Sequence, residues 1–512
     1  MKLKPVCILT LSTLGLFSLT GGFAAETVKK SRPEIIAGDV RHDISRALMS
    51  LSSGERTVIS NQAKTLHLQS KIPIQGFQGI GQGLGSYQVT SAQPNIAASV
   101  GLAQYVQWVD TDIAVFDKAT GTVAPGFPAP GNTLWSGFGG VCENINLGDA
   151  TVKYDQLAHR WVLSQHAFVD KNQGPFFQCI AVSTSEDAAG SYYRYAFQLD
   201  ALNDDAKMGL WPDAYYMSFD MSGRTSNGPR ICAFDRDKML SGLPATMQCR
   251  QYTAADTSSL QPADLDGRVL PPAGTPEYFI SLSPPQNLLL FKFHVDFSNP
   301  NNSTITNAIS IPVDSFTKAC TADGGDECAI QPFTPNKLNL VTDRLTRRLV
   351  YRQFFDHGSL LATHTIEGPP PKLAPALRWY ELRIDPQPDA NPVVYQQATQ
   401  APDSMNRFTG SMAIDHYGNM ALGYTVTSSL VFPSLELSGR NYFDPLNVLN
   451  IQALFTGTAS QVDNVHNWGN YSAMSVDPVD DCTFWYTNEY LSATGSFNWS
   501  TFIVNFKMAA CL

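Results

Sequence analysis

Short runs of apolar, β-branched and aromatic residues recur along this chain, and most of them end in Asp or a turn. They are Tyr105-Val-Gln-Trp-Val-Asp110, Thr151-Val-Lys-Tyr-Asp155, Tyr215-Tyr-Met-Ser-Phe-Asp220, Tyr278-Phe-Ile-Ser-Leu-Ser283, Leu338-Asn-Leu-Val-Thr-Asp343, Met412-Ala-Ile-Asp415 and Met474-Ser-Val-Asp477. Alternation with period two over four to eight residues is the signature of a half-buried β-strand. Seven such units, at intervals of roughly 45 to 72 residues, point to a radial array. The pattern therefore predicts an all-β chain, a seven-bladed β-propeller, with each of these runs as the inner strand of a blade.

The second unit reads as a whole blade: inner strand Thr151 to Asp155, then strands from Trp161 to Phe168, Phe177 to Thr184 and Tyr192 to Leu199. The fifth repeats the order after its inner strand, with Leu349 to Phe355, Leu360 to Ile366 and Arg378 to Ile384. Asp155 to Val162 and Asp343 to Val350 share the pattern D-x-L-x-x-R-apolar-Val. A hairpin turn suits both, because Asp accepts backbone N–H bonds there.

The segment before the first unit has a different period. Val40, Ile44, Ala47, Leu48 and Leu51 fall on one face at helical spacing and predict one amphipathic helix. Lys2, Lys4, the apolar run Val6 to Leu19 and Gly22-Phe23-Ala24 read as a secretory signal peptide cut after Ala24. The domain plan is then a signal at 1–24, an extension with a short helix at 25–73, and the propeller at 74–512. The seventh unit runs out of chain with one strand too few. Ile74 to Val89 is expected to supply it and cover the open edge.

Cysteine usage agrees with an oxidising compartment. Cys7 lies in the signal, and eight cysteines remain. Proximity pairs Cys142 with Cys179, Cys232 with Cys249, Cys320 with Cys328, and Cys482 with Cys511. The protein is expected to be secreted or periplasmic, without membrane insertion, since no later segment reaches the length of a spanning helix. There are 35 Lys and Arg against 45 Asp and Glu, with no basic cluster, so nucleic acid is not an expected partner.

Chemical motifs are sparse. No CxxC or HExxH occurs and the nine histidines are scattered, so no metal and no cofactor is expected. His357 and His364 would point to opposite faces of one strand. Asp264-Leu265-Asp266-Gly267 is a fragment of a calcium loop without its remaining ligands, and reads as a turn. Gly76 to Gly85 lacks a phosphate-loop spacing, and Gly410-Ser411 is no nucleophile elbow.

Loops entering the inner strands would open at one end of the central channel. On this reading they carry the ligand-binding candidates Glu143, Asp149, Trp211, Asp213, Lys337, Arg407, Trp468 and Asn470. Arg407 would hold a carboxylate, Trp211 or Trp468 would stack on a sugar, and Asp149, Asp213, Arg407 and Asn470 should converge. No catalytic residue is assigned. The expected function is recognition of an extracellular glycan or protein surface without catalysis. The alternative is a polysaccharide-acting glycoside hydrolase, for which Glu143, Asp149 and Asp213 are the eligible carboxylates.

Gln104 to Asp110, Asn132-Thr-Leu-Trp-Ser-Gly-Phe-Gly-Gly140, Trp468-Gly-Asn-Tyr-Ser472 and Asp480 to Tyr490 together resemble a family of large secreted bacterial β-propeller proteins, mostly uncharacterised. The resemblance spans roughly Phe77 to Met508 and implies the same fold, but no reaction. Where members of that family often carry P-P-D-T-N-G, this chain reads Gln93-Pro94-Asn95-Ile96-Ala97-Ala98, without the acidic residue or the glycine.

Overall fold

The computed structural model describes residues 29–50, 67–85, 87–223, 226–321, 326–371, 373–387 and 389–511. The signal segment and Leu51 lie outside them. The described residues are all-β. Their α-helices are the single turns Val141–Asn144 and Arg236–Leu240, and no helix among them is long and apolar enough to cross a membrane.

The strands form antiparallel meanders, each taking consecutive strands in order. Ala97–Val100 begins the first, Thr151–Asp155 the second and Leu202–Leu210 the third. Gln261–Asp266, Leu349–Gln353, Asn406–Ile414 and Ala473–Val476 begin those that follow. Each of these first strands lies beside the next, and Ala473–Val476 lies beside Ala97–Val100, so the series returns to its start. Gln261–Asp266 and Leu349–Gln353 also pair in parallel, Ala263 opposite Leu349. The first strands approach closely. A Cβ on Gly209 would collide with the Ala263 carbonyl, so the glycine serves the packing around the axis.

Between meanders the apolar faces interdigitate. Phe197 meets Phe234 edge to face at 4.8 Å, and Tyr216 meets Phe279 at 6.0 Å. Both faces of most strands are covered. Second strands such as Tyr215–Ser222 and Glu277–Ser283 are therefore as apolar as first strands, which corrects part of the expected order. Tyr105 to Asp110, Tyr215 to Asp220 and Tyr278 to Ser283 are second strands, not inner ones. Leu338–Asn339 belongs to a small two-stranded ribbon with Glu327–Ala329, and Leu349–Gln353 takes the inner place expected of it.

The segment before the first meander runs along the outside. Lys30–Ser31, Ile35–Gly38, Arg41–Ile44, His67–Ser70 and Ile74–Gln78 each add to the edge of a different sheet. The expected helix is overturned here: Arg41–Ile44 is a strand paired with Tyr193 to Ala196, and Leu48–Ser50 is one 3-10 turn. A short amphipathic helix alone is marginal in water, whereas a sheet edge offers a row of unpaired N–H and C=O groups. Val40 and Ile44, placed on the helix's apolar face, are 58% and 60% exposed. The closing strand forms as expected: Ile74–Gln78 pairs with Trp499–Phe506, Phe77 opposite Ile503.

All four expected disulfides are present: Cys142–Cys179, Cys232–Cys249, Cys320–Cys328 and Cys482–Cys511. They fit an oxidising environment.

Candidate functional site

The starts of several first strands open onto one polar cleft of about 420 Å³. Asp149 enters it just before Thr151–Asp155, in a left-handed conformation (φ +45°) that follows Gly148 (φ +74°). Asp204 and Asp205 enter where Leu202–Leu210 shifts register between Asp204 and Lys207. The bulge turns the two carboxylates to new directions, as bulges do. Asn470 and Tyr471 precede Ala473–Val476, and Asp343 and Arg344 lead toward Leu349–Gln353. His166, Asn95, Asp326 and Asn339 complete the polar lining.

Asp205 is the hub of an ion network. Lys207 Nζ lies 2.8 Å from its Oδ2, Arg347 Nη2 donates to Oδ1 at 3.1 Å, and Arg344 also donates to it. Burial alone would push the Asp205 carboxyl up, but these three cations hold it well below the usual carboxylate range. Arg347 stacks 3.5 Å over the Tyr471 ring and donates to Asp149 Oδ1 at 2.7 Å. Tyr471 in turn donates to Asp205 Oδ1 at 2.8 Å.

Below the cleft, the axis is filled by a second set of charges. Arg348 donates to both Asp264 and Asp266, and Lys153 Nζ reaches Asp264 at 2.7 Å. Asp264 and Asp266 sit within a first strand instead of the expected turn. Only about 70 Å³ of space remains there.

The network leaves parts of the cleft floor unsatisfied. Asp149 Oδ2 is buried with no hydrogen-bond partner. Shielding from water and the charge of Asp149 push the Asp204 carboxyl up. His166 places Nδ1 3.3 Å from the Asn203 carbonyl. Scattered histidines gave no reason to expect a metal-binding constellation, yet the fold gathers His166 with these two carboxylates.

Of the sequence candidates, Asp149 and Asn470 line this cleft. Trp211 and Asp213 do not converge with them, because they follow a first strand instead of preceding one. The run from Asp205 to Trp211 spans about 20 Å at ~3.3 Å per residue. Trp211 is buried, donates to the Thr275 carbonyl at 3.1 Å and packs edge-on against Tyr351. Asp213 accepts from Tyr216, and burial pushes its carboxyl up to about 6. Arg407 is fully buried and already holds Asp403 at 2.7 Å and Glu436 at 3.0 Å. Trp468 is buried and donates to Thr425. Glu143 accepts from the Gly137 and Gly139 amides at 2.7 and 2.6 Å, which hold its carboxyl low, and it stands outside the cleft. Lys337 lines a separate cavity of about 680 Å³ beside Cys320, Cys328 and Leu430.

The residues missed from sequence are Asp204, Asp205, His166, Arg344, Arg347 and Tyr471. The paired arginines of Arg347-Arg348, three residues after Arg344, were the available signal: so much positive charge beside an apolar strand needs buried partners.

No protein-family model matches this chain, and no curated protein matches it in sequence. Among solved structures, the WD40 domain of SCAP from fission yeast has a TM-score of 0.36 at 8% identity, covering 85% of this chain and 98% of that one. An endo-arabinase from Bacteroides thetaiotaomicron has a TM-score of 0.29 at 11% identity, covering 60% and 97%. A polysaccharide lyase, an ulvan lyase, has 0.27 at 10%, covering 85% and 78%. With TM-scores this low, the description of the chain rests on its own strand topology.

Proposed function

We propose that this protein is a secreted seven-bladed β-propeller that acts on an extracellular polysaccharide in the cleft at the strand-start mouth, as a glycoside hydrolase. The cyclic order of first strands supports the propeller and its blade count, and the leader-like residues 1–24 with four disulfides support secretion. The observation that carries the activity is the lining of the cleft. It is rich in carboxylates, and it offers a sugar no free aromatic face among the described residues. Trp211 and Trp468, the platforms that recognition without catalysis would have used, are buried and hydrogen-bonded elsewhere. The ring of Tyr471 is covered by Arg347.

Glycoside hydrolysis needs two carboxylates flanking the scissile bond. Asp326 and Asp343 line the cleft with side chains 41% and 54% exposed, Asp326 paired with Lys318 and Asp343 with Arg344, so that each carboxylate is held in place while still reached by solvent. The purified mature protein, incubated with a panel of plant and algal polysaccharides, is expected to release new reducing ends from at least one. Asp343→Asn or Asp326→Asn should lower that turnover on the order of 100-fold, the usual contribution of a positioned proton donor or acceptor. Binding on a glycan array with no product from any polymer would return recognition without catalysis to first place.

A further inference from the structure

The floor of the cleft holds donor atoms arranged for something smaller than a sugar. One ligand atom each from Asp149, His166 and Asp204 lie within 4.8 Å of one another. Donors that share a cation at about 2.0–2.5 Å stand at most ~4–5 Å apart across it. The three are therefore spaced to meet one ion.

Two further features point to a ligand. His166 is only 7% exposed, and the neighbour of its Nδ1 is a backbone carbonyl, Asn203 O. In the tautomer whose Nδ1–H donates to that carbonyl, the Nε2 lone pair is left for a metal, the usual arrangement behind a ligating histidine. The second feature is Asp149 Oδ2, buried without a donor while Oδ1 is held by Arg347. An anionic oxygen taken out of water without a partner is strongly disfavoured, and a bound cation would satisfy it. Asn95 Oδ1, another buried oxygen without a partner, belongs to the lining of the same cleft.

We propose that Asp149, His166 and Asp204 bind one divalent transition-metal cation, of the Zn²⁺ or Mn²⁺ class, at the floor of the cleft. One imidazole with two carboxylates suits these ions better than Ca²⁺, which prefers an all-oxygen shell. Three protein ligands leave coordination positions open toward the cleft, where a hydroxyl or carboxylate of the ligand enters. Cation binding stands independently of hydrolysis. Only this last step rests on the polysaccharide reading.

The test uses the full mature protein, stripped with a chelator, desalted, and titrated with ZnCl₂ or MnCl₂ by calorimetry, with elemental analysis of the loaded protein. One ion per chain is expected for at least one metal. Asp204→Asn should weaken binding tenfold or more, as should His166→Gln, while Glu143→Gln outside the cleft leaves affinity unchanged. His166→Gln enters the comparison only with a native melting transition. Asp204→Asn carries the test by itself otherwise. No saturable binding of either ion, or equal affinity in Asp204→Asn, overturns the site. The titration contains no polysaccharide and the reducing-end assay is read separately, so either proposal can fail without the other.

Discussion

Two stretches with the same residue pattern do different work, and the difference lies in one arginine each. Asp155 accepts from the amides of Leu157 and Ala158 at 3.0 and 3.1 Å, and Arg160 pairs across the hairpin from it. There the pattern is the turn it promised. Asp343 instead grips Arg344, and Arg348 turns into the axis toward Asp264 and Asp266. Replacing Arg348 by Met should leave Asp264 with Lys153 as its direct ion pair and Asp266 with none, both carboxylates being buried. Breaking a buried pair from one side costs about 3–5 kcal/mol, so urea unfolding should show a loss of that order. Arg160→Met should stay within about 0.5 kcal/mol. Equal losses would mean that the axial charges do not hold the ring. Asp213 makes a second residue-scale prediction. Burial raises its folded carboxyl to about 6 from an ordinary value of 3.8. The folded chain thus holds this proton more tightly than the unfolded chain. The stabilisation is present below about pH 4 and is lost as pH rises through about 6, each tenfold difference in proton affinity being worth ~1.4 kcal/mol. Asp213→Asn keeps the acceptor for Tyr216 and removes the titration. Its melting temperature relative to wild type should rise between pH 4 and pH 7. Parallel melting curves across that range would contradict the buried titration.

At the scale of elements, what local pattern governs was legible and what partners decide was not. Period-two alternation placed Thr151–Asp155, Arg160–Phe168, Phe176–Ser183 and Tyr192–Leu199 almost residue for residue. Which strand of each meander comes first was hidden, because strands sandwiched between sheets are apolar on both faces. Tyr215–Ser222 reads like an inner strand although Leu202–Leu210, with Asp204, Asp205 and Lys207 in it, takes that place. Charged residues mark that inner strand because its start faces the ion-paired cleft. The site was partly invisible for the same reason: with Tyr215 to Asp220 read as the inner strand, Trp211 and Asp213 fall in its entry loop, whereas the strand that does reach the cleft, Leu202–Leu210, carries Asp204 and Asp205. Arg41–Ile44 failed in the other direction. Its local spacing is helical, but Asp43 meets Arg194 at 2.7 Å and its backbone pairs with the edge strand Tyr192–Leu199, contacts that no window of sequence contains. The tryptophans misled because a buried indole and a sugar platform look alike in sequence. Only the donors at Trp211 Nε1 and Trp468 Nε1, both engaged inside the fold, tell them apart.

For the whole molecule, closure depends on two kinds of N-terminal strand that do unequal jobs. Lys30–Ser31, Ile35–Gly38, Arg41–Ile44 and His67–Ser70 lie on outer edges of sheets that already have their own strands. Ile74–Gln78 is different: the final sheet has only Ala473–Val476, Phe484–Leu491 and Trp499–Phe506 without it. Beyond its pairing, this region also reaches across to the first meander. The Ile80 amide donates to Gln107 Oε1 at 2.7 Å, while Gln107 Nε2 donates to Thr487 at 2.9 Å and Thr501 at 3.0 Å. Phe77 packs on Phe116 of the first sheet and on Trp485 of the last. The first and last sheets are thus bound together through this strand. A mature chain beginning at Ile74 should therefore fold with the ring intact. It should melt lower, and it should self-associate more because outer edges are uncovered. A chain beginning at Gly83 removes the closing strand and the Ile80 contact together, and should lose cooperative unfolding or fail to yield monomer. Far-UV circular dichroism melts and light scattering on the two truncations, purified side by side, separate these outcomes. If the chain beginning at Gly83 melts as cooperatively and as high as the one beginning at Ile74, the ring is held shut by the first strands alone, and the clasp through Ile74–Gln78 is refuted.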